Sequence, residues 1–144
     1  MIIDGNVRLA GSIVNGVQTP FTTSNAATQT SDLSVDLGSV TGDQIGSGEP
    51  IQVVIHIGLA LAAGTVSFNL ISSASDTLSN AVSAGASTGE IAAADCGLGK
   101  VFSLTVPARV AKTGLRYLGI QTVKSTGADD LAYSAYVVTG VQTN

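Results

Sequence analysis

Apolar and polar residues alternate with a period of two along most of this chain, and that restricts the fold to sheets. In residues 32–37, Leu33, Val35 and Leu37 fall on one face and Asp32, Ser34 and Asp36 on the other. Residues 51–57, just after Pro50, set Ile51, Val53, Ile55 and Ile57 against Gln52, Val54 and His56. Residues 65–71 set Val66, Phe68 and Leu70 against Thr65, Ser67 and Asn69. Residues 101–106 set Phe102, Leu104 and Val106 against Ser103 and Thr105, and Pro107 ends the run. In residues 132–139, Tyr133, Ala135 and Val137 alternate with Ser134, Tyr136 and Val138. Residues 115–123 are apolar on both faces, which predicts a central strand or one whose outer face a partner covers.

Shorter strands are expected at 6–10, 12–18 and 90–94, for a total of about eight. Glycine-rich turns separate the runs at Gly42, Gly46, Gly48, Gly58, Gly64, Gly97, Gly99, Gly114 and Gly127. Residues 72–99, rich in Ala, Ser and Gly, carry the weakest signal. A short helix over 74–84 competes there with a loop holding one embedded strand, and the loop is the preferred reading. Many short strands with no long amphipathic helix predict an all-β chain, a jelly-roll β-sandwich of about eight antiparallel strands. The 144 residues fit one domain, 1–144, with a candidate N-terminal arm within residues 1–30, where Thr, Asn and Ala are frequent.

Charged residues are 11% of the chain, against about 25% in an ordinary domain, while Ser and Thr number 31. Neutral hydroxyls leave water at lower cost than ions, so such a surface suits a protein packed among neighbours. A net charge of −4 with only six Lys and Arg argues against nucleic acid as a partner. The opening MIIDGNVRLA has no basic region leading into an apolar run, and the apolar stretch 51–64 is too short to span a bilayer and is broken by Gln52 and His56. Neither a signal peptide nor a membrane anchor is therefore expected. Cys96 is the lone cysteine, so an intrachain disulfide is impossible, and folding in a reducing cytoplasm is the simpler expectation.

Motifs for chemistry are sparse. Gly85-Ala86-Ser87-Thr88-Gly89 satisfies the G-x-S-x-G pattern of a nucleophile elbow, but that mechanism needs a strand before the serine, a helix after it and a later histidine. His56, the one histidine, precedes Ser87. A His56, Asp76, Ser87 set follows another triad order, with nothing in the sequence to bring the three together. Metal ligands show no useful spacing, and the Asp129-Asp130 pair is more simply a solvated turn than a calcium site. Gly99-Lys100 lacks the upstream glycine of a phosphate-binding loop. The expectation is a protein that is not an enzyme and uses no cofactor. A carbohydrate-binding sandwich is an alternative, disfavoured by the lack of tryptophan.

Several segments, in order, resemble the capsid cement proteins of short-tailed bacteriophages, typified by the jelly-roll cement protein of Bordetella podophages. They are MIID at 1–4, DLG at 36–38, GSGEPIQVVIHI at 46–57, ISSASDTLS at 71–79, GKVFSLTVP at 99–107 and RYLGI at 116–120. The main departure is the Ala/Gly-rich segment 74–99. The resemblance implies a jelly roll on the outer capsid surface of a virion, folded in the bacterial host cytoplasm. Its implied partners are the major capsid protein and further copies of itself as a dimer or trimer, with no nucleic acid and no membrane. Ile2, Ile3 and Asp4, and the loose basic group of Arg109, Lys112 and Arg116, are the candidate contact residues. Another virion module, in a head fibre or tail, is the nearest alternative.

Overall fold

A computed structural model describes residues 7–24, 27–37, 51–107 and 115–139. Within them the chain forms β1 (Arg8–Ala10), β2 (Ser12–Val14), β3 (Val17–Thr19), β4 (Phe21–Thr22), β5 (Thr28–Thr30), β6 (Val35–Asp36) and β7 (Ile51–Leu59). The second half adds β8 (Thr65–Ser73), β9 (Val82–Ser87), β10 (Ile91–Ala92), β11 (Val101–Thr105), β12 (Tyr117–Lys124) and β13 (Ala132–Thr139). One sheet runs β1-β13-β7-β11, with β4 continuing the β1 edge along β13. The other runs β10-β8-β12-β5, with β9 and β6 extending its two edges, and β2 pairs only with β3.

All these pairings are antiparallel. Taking β1 with β4, β5 with β6 and β9 with β10 as single positions, the sheets read 1-8-3-6 and 2-7-4-5 in chain order. That alternation of strands between two sheets is the jelly roll. Successive positions cross between the sheets except the fourth and fifth, which pair within one, and the apolar faces of the two sheets bury each other.

The core lies between the sheets. Val53, Ile55, Ile57, Tyr133 and Ala135 face it from one side, and Val66, Phe68, Leu70, Leu118 and Ile120 from the other, all buried. Those on β7, β8 and β13 are the inward positions that alternation assigns, and each large apolar side chain so buried contributes about 1.5–3 kcal/mol of transfer free energy. Tyr133 stands edge-on to Phe68, with centroids 5.2 Å apart, and to Phe21 at 5.7 Å. Its hydroxyl is buried with no hydrogen-bond partner, and desolvation drives its ionisation far above the usual phenol range. Tyr133→Phe removes an unsatisfied polar atom and keeps the ring packing, so stability should hold or rise by about 1 kcal/mol. A urea midpoint well below wild type would show that the hydroxyl is satisfied in solution.

Two expectations are corrected. The strand read over 12–18 is a hairpin, because Asn15 and Gly16 both take positive φ (51° and 78°) in a two-residue turn between β2 and β3. The strand read over 32–37 is reduced to Val35–Asp36, although Val35 and Leu37 still pack on the core and Asp36 points outward. Within 72–99 the structure agrees with the expectation: β9 is the one embedded strand, β10 falls in the strand expected at 90–94, both pair with β8, and no α-helix forms over 74–84.

Strand β12 is central in its sheet, as its two apolar faces require. The cover on its outer face comes partly from the chain itself. Gly119 lies opposite Ile71, and the buried Leu78 seats directly over Gly119.

Candidate functional site

The residues singled out for hydrolytic chemistry are kept apart. Ser87 ends β9 in one sheet and His56 is exposed on β7 in the other, while Asp76 lies in the turn segment after β8. The chain after Ser87 runs on into β10 and then only a 3-10 turn at Ala93–Asp95, and Ser87 Oγ accepts a hydrogen bond from the Gly89 N–H at 3.1 Å. Thr88 Oγ1 accepts from the Phe68 N–H at 3.0 Å, so the G-x-S-x-G segment is a strand end tied to β8. Among the described residues no three His, Cys, Asp or Glu side chains gather as metal ligands. Cys96 is buried, and desolvation pushes its thiol up.

Where a solvated Asp129-Asp130 turn was expected, the chain supplies its own cation. The Lys124 side chain is only 2% exposed, and its Nζ donates to Ser24 O at 2.6 Å, Asp129 O at 3.2 Å, Thr23 Oγ1 at 3.3 Å and Asp130 Oδ1 at 3.3 Å. Thr23 Oγ1 in turn accepts from Leu131 N–H and donates to Leu131 O, each at 3.1 Å. The group clamps the segment after β4 to the turn before β13.

Of the candidate contact residues, Ile2, Ile3, Asp4, Arg109 and Lys112 lie outside the described residues. Arg116 is exposed just before β12 and is already engaged. Its guanidinium donates to both carboxylate oxygens of Asp36, with Nε to Oδ1 at 2.7 Å, and lies 5.3 Å from the Tyr117 ring centroid. The hydrogen bonds to Asp36 favour its charged form further. An acidic partner group would have to compete with Asp36 for it.

The most exposed structure is the β2–β3 hairpin. All six of its strand residues are exposed, and neither strand pairs with a sheet. Its root is nonetheless held firmly. Gly11, at φ 84°, donates its N–H to Asp32 Oδ1 at 3.1 Å, and its carbonyl accepts from Arg8 Nη1 at 3.3 Å. A Cβ there would stand 2.8 Å from Thr19 O and 3.0 Å from Ser134 Oγ, so glycine is needed for both the dihedral and the close approach. No charged residue occurs between Arg8 and Asp32.

Three more exposed apolar side chains lie at the other edge of the same sheet. Gly99 N–H donates to Ile57 O and Leu61 N–H to Cys96 O, which places Leu59 and Leu98 on facing segments just before β11 begins at the exposed Val101.

Residues 21–135 match the family model Bbp16, which spans most of the chain and nearly all of the sandwich. The chain belongs to the Bbp16 family. Bbp16 is a Bordetella phage protein, so membership places this jelly roll in a phage protein family. No curated protein matches the chain. The match begins at Phe21, so it covers β4 to the first half of β13 and leaves out the β2–β3 hairpin.

Two features escaped the sequence reading. The Asn15-Gly16 dipeptide is a strong hairpin signal and could have revealed the arm. Nothing local marks Lys124, whose partners Thr23 and Ser24 are about one hundred residues away in sequence.

Proposed function

We propose that this Bbp16-family protein is a capsid cement protein, binding the outer surface of the major capsid protein shell and bridging its subunits. Membership of a phage family on a jelly-roll sandwich is the observation that carries the reading. The charge-poor, hydroxyl-rich composition supports it, because such a surface is desolvated at low cost when copies and shell subunits crowd together. The function is mechanical. Added contact area across the joints between subunits resists the outward pressure of packaged DNA, and several modest contacts on one shell act at high effective concentration. Self-association, into a dimer or trimer, belongs to the same reading.

Within it, Ile2, Ile3 and Asp4 and the basic residues Arg109, Lys112 and Arg116 are the proposed shell contacts. Purified protein added to undecorated capsids should bind at a saturating copy number set by the shell's symmetry, read by cosedimentation and by imaging of the particles. Arg109→Glu with Lys112→Glu should weaken that binding and flatten its salt dependence. Absence of binding to undecorated shells would remove the cement assignment, and unaltered binding by the charge-reversed protein would remove the basic contact.

A further inference from the structure

Six of the seven large hydrophobic side chains exposed among the described residues fall in two places. Ile13, Val14 and Val17 lie on the β2–β3 hairpin, where Val17 is 66% exposed, and Leu59, Leu98 and Val101 lie at the β11 edge, where Leu98 is 74% exposed. The hairpin leaves the sheet at its β1/β4 edge, and β11 is the opposite edge of that sheet. Three strand spacings, about 14 Å, separate the edges. Among the described residues the hairpin pairs with neither sheet, and both groups of side chains are exposed.

We propose that the β2–β3 hairpin of one copy docks on the β11 edge of a second copy, so that the protein assembles head to tail. It deepens the self-association part of the reading above and does not depend on the shell.

Three observations lead there. An isolated two-stranded ribbon is marginally stable in water, yet this one is held at its root by Gly11, Asp32 and Arg8, which directs it outward as a pre-formed arm. Backbone groups are available on both sides. The two-residue turn makes Val14 and Val17 the hydrogen-bonded pair, so Ile13 turns its N–H and C=O to the outside of the ribbon. On β11, Val106 N–H donates to Ile51 O, so the alternate residues Val101, Ser103 and Thr105 turn theirs away from β7, to a side where no described strand pairs. Such an edge, with no charge or proline from Val101 to Val106, is a template for strand addition.

Charge selects the partner. Two copies each carrying −4 repel unless they meet through uncharged surface, and residues 9–31 and 101–107 contain no ionisable side chain. A contact between two different patches is heterologous, and its closure gives a cyclic oligomer.

The test uses the full-length protein alone. Wild type should self-associate in sedimentation velocity. A hairpin variant, Val14→Lys with Val17→Lys, and an edge variant, Val101→Lys, should each weaken association by about tenfold or more, because each sets a charge in a contact that must be desolvated. All three residues are exposed, so the thermal transition and circular dichroism should match wild type. An equimolar mixture of the two variants should form a dimer, since one supplies an intact arm and the other an intact edge. A monomeric wild type, association unaltered in either variant, or a mixture that stays monomeric would each overturn the proposal. The last result would mean that the association is symmetric or uses another face.

Discussion

Lys124→Met is expected to destabilise the protein by about 3 kcal/mol, a fall in Tm of roughly 10 °C for a chain of this size. The ammonium is the common partner of two backbone carbonyls, the Thr23 hydroxyl and the Asp130 carboxylate, and methionine can fill the volume but satisfies none of them. Ser24 O, at 2.6 Å, and Asp129 O lose a charged donor in a place where the lysine itself is almost sealed from water. Asp130→Asn should cost far less, about 1 kcal/mol or under, because that carboxylate is 42% exposed and water can replace the lysine. Urea unfolding of both variants measures the difference. Similar losses for the two would mean that the ion pair, rather than the carbonyl cage, holds the clamp.

The second large effect is expected where Leu78 meets Gly119. Leu78→Ala should cost about 2–3 kcal/mol through the cavity it leaves over β12. Leu78 is buried and sits at φ 56°, a left-handed conformation that leucine adopts only when its surroundings hold it there. The segment around it is pinned by Ser73 Oγ donating to Ser79 O at 2.6 Å and Ser34 Oγ to Asp76 O at 2.8 Å. From the other side, Gly119→Ala would bring a Cβ to 2.7 Å from Leu78 Cδ2 and closer still to Cδ1, and should cost about 1–3 kcal/mol by overpacking. The double variant should lose less than the sum, since the new methyl enters the space that the leucine vacates. Additive losses in a double-mutant cycle would show that the two positions do not share that space.

These two sites differ in how far they can be read from sequence. The apolar character of residues 115–123 on both faces signalled a covered central strand, and β12 is one. The identity of the cover was hidden, because Leu78 sits in an Ala/Ser-rich segment with no periodicity. Lys124 follows Gln121, Thr122 and Val123, and nothing in that stretch marks it as enclosed. Its burial depends on the segment at 23–24 folding back against the turn at 129–130. The candidate contact residues were equally hard to place. Arg116 carries a charge that suggests an outside partner, yet Asp36 on the neighbouring strand occupies it. The hairpin is a different case, since Asn15-Gly16 was in plain view and alternation across 12–18 concealed it.

The sequence by itself determined the all-β class, the inward faces of β7, β8, β11 and β13, and the Bbp16 membership. Alternation is a local property: each strand's apolar face follows from its own residues, whatever it pairs with. Only the tertiary structure decided that, among the described residues, the ribbon at 12–19 joins neither sheet and β11 ends its sheet, and that Lys124 is enclosed. Those outcomes depend on which strands become neighbours, and strand order is set by burial of all the apolar faces together, over separations of up to about one hundred residues that no local pattern encodes.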